Sequence, residues 1–226
     1  MTIPKNILIL TTPRTGSTTL LKVLSHDTVV RSELFEGWES PEKISKDVDF
    51  LNFVSNGDGR VVIKLMHNML VDRLSHSQRE RLKRVIESRK FYVIRLARDD
   101  FKSQVFSMAI AETSKEFGDQ SSKKIKCSLK TLRRTFKFLH RNVLALNNNI
   151  YNIPIDQDIE FNDVINDNIV IHDHIFKHAA ASNHRIFSSL DKEKKVKNLG
   201  DMDRWFEELL LEYGYPTPEL KLKDAR

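Results

Sequence analysis

A single cysteine, Cys127, is all the thiol this chain has, which excludes an internal disulfide framework and any multi-cysteine zinc site. No histidine or asparagine context activates it, so it reads as an ordinary helix residue rather than a reactive thiol. Long apolar runs are missing too. None approaches the roughly 18 residues a membrane span needs, and the stretch Asn6 to Thr11 is too short for a signal-peptide core and lacks a small-residue cleavage site. A cytoplasmic protein with no integral membrane segment is expected. Internal repeats and low-complexity tracts are absent. Acidic residues fall short of basic ones, 31 against 37 in 226 residues, leaving a net charge of +6. That excess favours anionic partners in general. The basic residues are nevertheless scattered among acids, with no aromatic platform or recognition motif, so nucleic acid is not an expected partner.

What is present is a globular composition, 40% apolar and 30% charged, over a length that suits one domain. Lys5 to Thr12 (KNILILTT) is a short apolar run closed by Pro13 and reads as a buried parallel strand. Ser17 to Leu24 (STTLLKVL) has helical spacing behind a cluster of hydroxyl residues. Val61 to Met66 predicts a second strand, Gln78 to Ser88 a charged amphipathic helix, and Phe91 to Leu96 a third strand leading into a helix over about Asp100 to Phe117. Such alternation predicts an α/β fold, a parallel sheet flanked by helices. From Ser121 the pattern turns helical and loop-rich. A long helix is expected over Leu129 to Leu146, an irregular excursion over Tyr151 to Asn168, and helices around His174 to Ser189 and Met202 to Tyr213.

The sharpest motif is Thr11-Thr12-Pro13-Arg14-Thr15-Gly16-Ser17-Thr18-Thr19. Because it joins a strand to a helix, its N–H groups and the helix dipole converge on one point and form an anion site. Gly16 allows close backbone approach, and Ser17, Thr18 and Thr19 add hydroxyl donors. Laid over the nucleotide-triphosphatase pattern G-x-x-x-x-G-K-[ST], the stretch keeps the cradle but has Thr11 at the first glycine and Ser17 at the lysine. A cation appears instead at Arg14. Asp99 and Asp100 follow the third strand closely enough to be candidates for a Walker-type metal ligand. A P-loop kinase or nucleotide hydrolase with a degenerate loop is therefore the second reading.

The loop resembles that of the sulfotransferases that use 3′-phosphoadenosine 5′-phosphosulfate (PAPS), closest to the bacterial carbohydrate and glycolipid type, whose loop reads like P-R-[ST]-G-S-T. The resemblance covers the first half of the chain, through Ala111. It implies a P-loop-like fold in one sulfotransferase-like domain, with residues 1–118 binding the donor and 119–226 shaping the acceptor side. It assigns Pro13, Arg14, Thr15, Gly16, Ser17, Thr18 and Thr19 to the 5′-phosphosulfate. Sulfuryl transfer leaves a phosphate whose charge grows at the bridging oxygen, and a fixed guanidinium beside N–H donors suits it. A second family motif, an arginine and then a serine gripping the 3′-phosphate, has its counterpart in Arg98 and Ser107. These are nine residues apart, one more than usual, so Asp99 and Ser103 are alternatives in register.

By the same resemblance no metal is needed, and the acceptor is a hydroxyl of a small molecule, glycan or lipid. A base must take its proton. Glu33, in Ser32-Glu33-Leu34-Phe35, matches the family's proposed base, with Glu36 and Glu39 nearby. His67, at the end of the second strand, competes for the role, and Lys64 is placed to steady the transferring sulfonate. His172, Asp173, His174 and His178 only superficially resemble a metal cluster. Lys192 to Lys197 reads as a solvated face that could also lie over the donor's 3′-phosphate.

Overall fold

The structure, a computed structural model, describes residues 6–24, 30–33, 61–72, 74–115, 124–166, 169–171, 174–176 and 196–215. In chain order the elements are β1 (Asn6–Thr11), α1 (Ser17–Leu24), β2 (Val30–Glu33), β3 (Val61–Met66), α2 (His67–Asp72), α3 (His76–Val85), β4 (Tyr92–Ala97), α4 (Phe101–Ser114), α5 (Leu129–Asn147), β5 (Gln157–Glu160), α6 (Phe161–Ile165), β6 (Ile169–Ile171), β7 (His174–Phe176) and α7 (Leu199–Glu212). They divide into two compact units, Met1–Ala97 with Asn142–Ala181, and Arg98–Arg141 with Ser182–Arg226.

The first unit holds a five-stranded sheet in the order β2-β3-β1-β4-β5, every pairing parallel. Successive side chains leave a strand on opposite faces. Leu8, Leu10, Ile63, Leu65 and Val93 therefore meet Leu70 of α2 and Leu82 of α3 on one face. Ile7, Ile9, Val62, Ile94 and Leu96 meet Leu20 and Leu24 of α1 and Val164 of α6 on the other. A sheet covered on both faces needs apolar residues throughout, which is why NILILT and VVIKLM are nearly continuous apolar runs. Each such side chain contributes roughly 1.5–3 kcal/mol on burial.

This division of faces also sets the site. The chain leaving β1 turns to the α1 face, whereas the chain leaving β3 turns to the face of α2 and α3. The two strands are neighbours, with Thr11 in register with Met66. Connections parting to opposite faces open a crevice at the carboxyl ends of adjacent strands, where ligands of parallel sheets collect.

Two expectations of secondary structure are corrected. Residues 151–168 are not wholly irregular, because β5 and α6 lie within them. The short QDIE segment has little strand signal of its own and is fastened to β4 by side chains: Arg95 Nη2 donates to Asp158 Oδ2 at 2.9 Å, and Val93 N–H donates to Asp156 Oδ2 at 2.8 Å. The helix expected from His174 begins instead as strand β7, paired antiparallel with β6, since a β-branched and aromatic segment facing another is a good hairpin partner; residues 177–189 lie outside the described set. Glu33 closes strand β2.

The second unit packs α4, the first part of α5, and α7 around aromatic rings. Phe136 meets Phe101 edge-on at 5.4 Å between centroids and Phe206 at 5.5 Å. Cys127 precedes α5 rather than lying in a helix. Its N–H donates to Asn198 Oδ1 at 3.1 Å, and Asn198 Nδ2 donates back to its carbonyl at 2.9 Å. Burial pushes the thiol's pKa up, as suits a packed residue rather than a nucleophile. Among the described residues no helix is long and apolar enough to cross a membrane.

Candidate functional site

The loop between β1 and α1 is built around left-handed backbone. Arg14 has φ 65° and Gly16 φ 76°. For arginine this conformation costs about 1–2 kcal/mol, a strain of the kind that collects at ligand-binding turns. Glycine is required at 16 for a second reason: a Cβ there would lie 2.6 Å from two ring carbons of Phe161. The first residue of α6 thus seals the underside of the loop.

Threonine hydroxyls brace it from within. Thr11 and Thr15 are fully buried, with 2.5 Å between their Oγ1 atoms. Thr15 donates to the Thr12 carbonyl at 3.0 Å, and Thr11 lies 3.2 Å from the Leu96 carbonyl on β4. The Thr15 hydroxyl is therefore placed inside the loop rather than at its mouth. The N–H groups of Thr19 and Leu20 close onto the Gly16 carbonyl at 2.9 and 3.1 Å, so the amides ahead of them lie at the open, positive end of α1. Thr18 is exposed there, Thr19 and Arg14 are half-buried and Ser17 is buried.

From the other side of the crevice, β3 contributes a cation. Lys64 is only 2% exposed, and its Nζ lies 3.4 Å from Thr18 Oγ1. Even-numbered residues of β3 face α1, so the strand's pleat delivers Lys64 to the first turn of the loop's helix. Glu33 is the register partner of Lys64 on β2, which brings that position to the same edge of the sheet. The structure thus gathers the loop, Lys64 and the Glu33 position.

His67 and Asn68 begin α2 immediately after β3. His67 is 2% exposed, with its ring 5.6 Å from that of Tyr151, and burial lowers its pKa from 6.5 to about 4. The imidazole is neutral at physiological pH. Among the described residues the His67 Nδ1 and the Asn68 Oδ1 are buried without a hydrogen-bond partner, a costly state unless something beyond those residues supplies one. Asn68 escaped the sequence reading; the signal was a polar pair directly after an apolar strand.

The remaining expected residues fall elsewhere. Arg98 directly follows β4 and Ser107 is half-buried in α4, both in the second unit. Asp100 is the cap of α4, its Oδ1 accepting from Ser103 N–H at 2.8 Å. Glu36, Glu39, His172, Asp173, His178 and residues 192–195 lie outside the described residues. Among the described residues no group of three or more His, Cys, Asp or Glu is gathered to hold a metal ion. No protein-family model matches the chain, and no curated protein matches it.

Proposed function

We propose that the chain is a PAPS-dependent sulfotransferase of P-loop-like fold, moving a sulfuryl group to an acceptor hydroxyl. The observation that carries this reading is the convergence of an arginine-bearing left-handed loop and a buried lysine on one helix N-terminus. The lysine of a triphosphatase loop does not accompany it. The strand order supports the fold assignment, because placing β3 between β2 and β1 departs from both the dinucleotide-binding and flavodoxin orders.

The donor supplies an activated sulfuryl group on a phosphate. In this reading the loop amides, Arg14 and Thr18 hold the 5′ end, and Lys64 balances charge growing on the departing phosphate in a site of low dielectric. The motif resemblance assigns the 3′-phosphate to Arg98 and Ser107. Glu33 takes the acceptor proton as the new oxygen–sulfur bond forms and the bond to the donor's phosphate breaks. His67 is less suited to that task, since burial makes it a weak base, while its Nδ1 and Asn68 Oδ1 fit contacts to the acceptor.

A phosphoryl-transfer enzyme is the second reading, favoured by one observation: Lys64 brings from β3 the ammonium group that the loop itself lacks. Thermal-shift measurements with 3′-phosphoadenosine 5′-phosphate, ATP and GTP, each with and without magnesium, separate the two. Stabilisation by the bisphosphate without magnesium is expected. Stabilisation by ATP alone, and only with magnesium, overturns the sulfotransferase reading. Turnover then tests the base: Glu33→Gln is expected to lose most activity and retain donor binding, and normal activity in that variant beside a dead His67→Gln reassigns the role.

A further inference from the structure

Helix α5 carries Lys130, Arg133, Arg134, Lys137 and Arg141 and not one acidic residue. All five are exposed. Lys130 with Arg134, Arg133 with Lys137, and Lys137 with Arg141 are each four apart, an arrangement that repels and destabilises a helix. Nothing in the fold demands it, because the buried face of α5 is made by Leu132, Phe136 and Leu139. Helix α7, in the same unit, relieves its charges in the ordinary way, with Arg204 3.4 Å from Asp201 and 3.9 Å from Glu208.

The cations of α5 line a concavity. Leu129, Lys130, Arg133, Arg134 and Lys137 surround a depression of about 490 Å³. The two arginines are engaged at its borders: Arg133 meets Glu212 of α7 at 3.1 Å and Arg134 meets Glu112 of α4 at 2.5 Å. Among the described residues no carboxylate pairs with Lys130 or Lys137. The open cations are thus lysines about 10 Å apart along the axis, and a lysine acts as a point charge suited to sulfate or phosphate, whereas carboxylates favour arginine's planar fork.

We infer that this lane binds a sulfated glycan chain. Glu112 of α4 and Glu212 of α7 already neutralise the two bordering arginines, so a DNA duplex or an anionic bilayer, whose charges spread beyond the two lysines, gains nothing further there. A thin anionic chain needs only the two lysines. Single-stranded nucleic acid needs rings on which bases stack, and a membrane needs an apolar anchor. The exposed large hydrophobic residues described, Ile150, Val170 and Leu211, are not among the residues lining the depression. The inference shares no residue with the crevice of the sheet unit and stands independently of the proposed donor.

The test is calorimetric titration of the full chain with a sulfated heparin oligosaccharide, its desulfated counterpart, a DNA duplex and phosphatidylserine vesicles. The sulfated chain is expected to bind, the desulfated one not, and the Lys130→Gln/Lys137→Gln double variant to lose about tenfold or more in affinity, as two charge-assisted contacts imply. Lys83→Gln, on α3, controls for net charge and is expected to bind like the wild type. Equal binding by the double variant, an equal loss in Lys83→Gln, or tighter binding of duplex or vesicles overturns the inference. Circular dichroism of each variant establishes that any loss is not unfolding.

Discussion

The two units handle charge in opposite ways. In the sheet unit the charge and hydrogen-bonding capacity are taken inside: Thr11, Thr12, Thr15, Ser17, Lys64, His67 and Asn68 are all buried near the carboxyl ends of β1 and β3. In the helical unit the charge stays on the outside of α5, where water and salt screen it. Interior groups interact strongly and cost stability; exterior ones interact weakly and cost little. The first arrangement suits a small anion held in one geometry, the second a long flexible one held by repetition.

The largest effect expected from breaking this contrast is at Gly16. Gly16→Ala must place a Cβ against the Phe161 ring at a positive φ, and is expected to cost roughly 3 kcal/mol or more. Chemical denaturation checks the value, and Phe161→Leu in the same background is expected to recover part of it.

Acid comes next. His67 binds a proton in the unfolded chain near pH 6.5 and in the folded one only near 4. Stability is therefore full above pH 6.5 and declines as pH falls toward 4, by roughly 3 kcal/mol at 1.36 kcal/mol per pH unit. Denaturation curves from pH 7 to 4 are expected to flatten in His67→Gln. An unchanged slope in that variant would place the sensitivity elsewhere.

The sequence already told much of this story and missed the rest for physical reasons. Strands β1, β3 and β4 were legible because burial on both faces demands long apolar runs. The loop was legible because Arg14, Gly16 and the hydroxyls have no other good reason to adjoin. β5 was not, since its QDIE segment is ordered by bonds from Tyr92, Val93 and Arg95, more than sixty residues away in sequence. The inward turn of the Thr15 hydroxyl and the seal by Phe161 are likewise products of tertiary structure.

Lys64→Met sharpens the comparison further. Replacing a buried ammonium by an apolar chain of similar length is neutral or stabilising in many proteins, so the melting temperature is expected to hold or rise while donor affinity falls about tenfold or more, the worth of one charge-assisted bond. A parallel loss of stability and binding would make Lys64 a structural residue. The smallest effect belongs to the outer charges: Lys130→Gln/Lys137→Gln relieves like-charge neighbours and is expected to stabilise by a few tenths of a kcal/mol, measurable at low salt and gone at high salt.

Calorimetric titration with 3′-phosphoadenosine 5′-phosphate in the absence of magnesium, for wild type and Arg14→Ala, tests the central claim most directly. Tight binding by the wild type, weakened about tenfold or more in the variant, with AMP and ADP binding distinctly less well, is the predicted result. Equal affinity for the bisphosphate, AMP and ADP, or binding indifferent to Arg14, would contradict it.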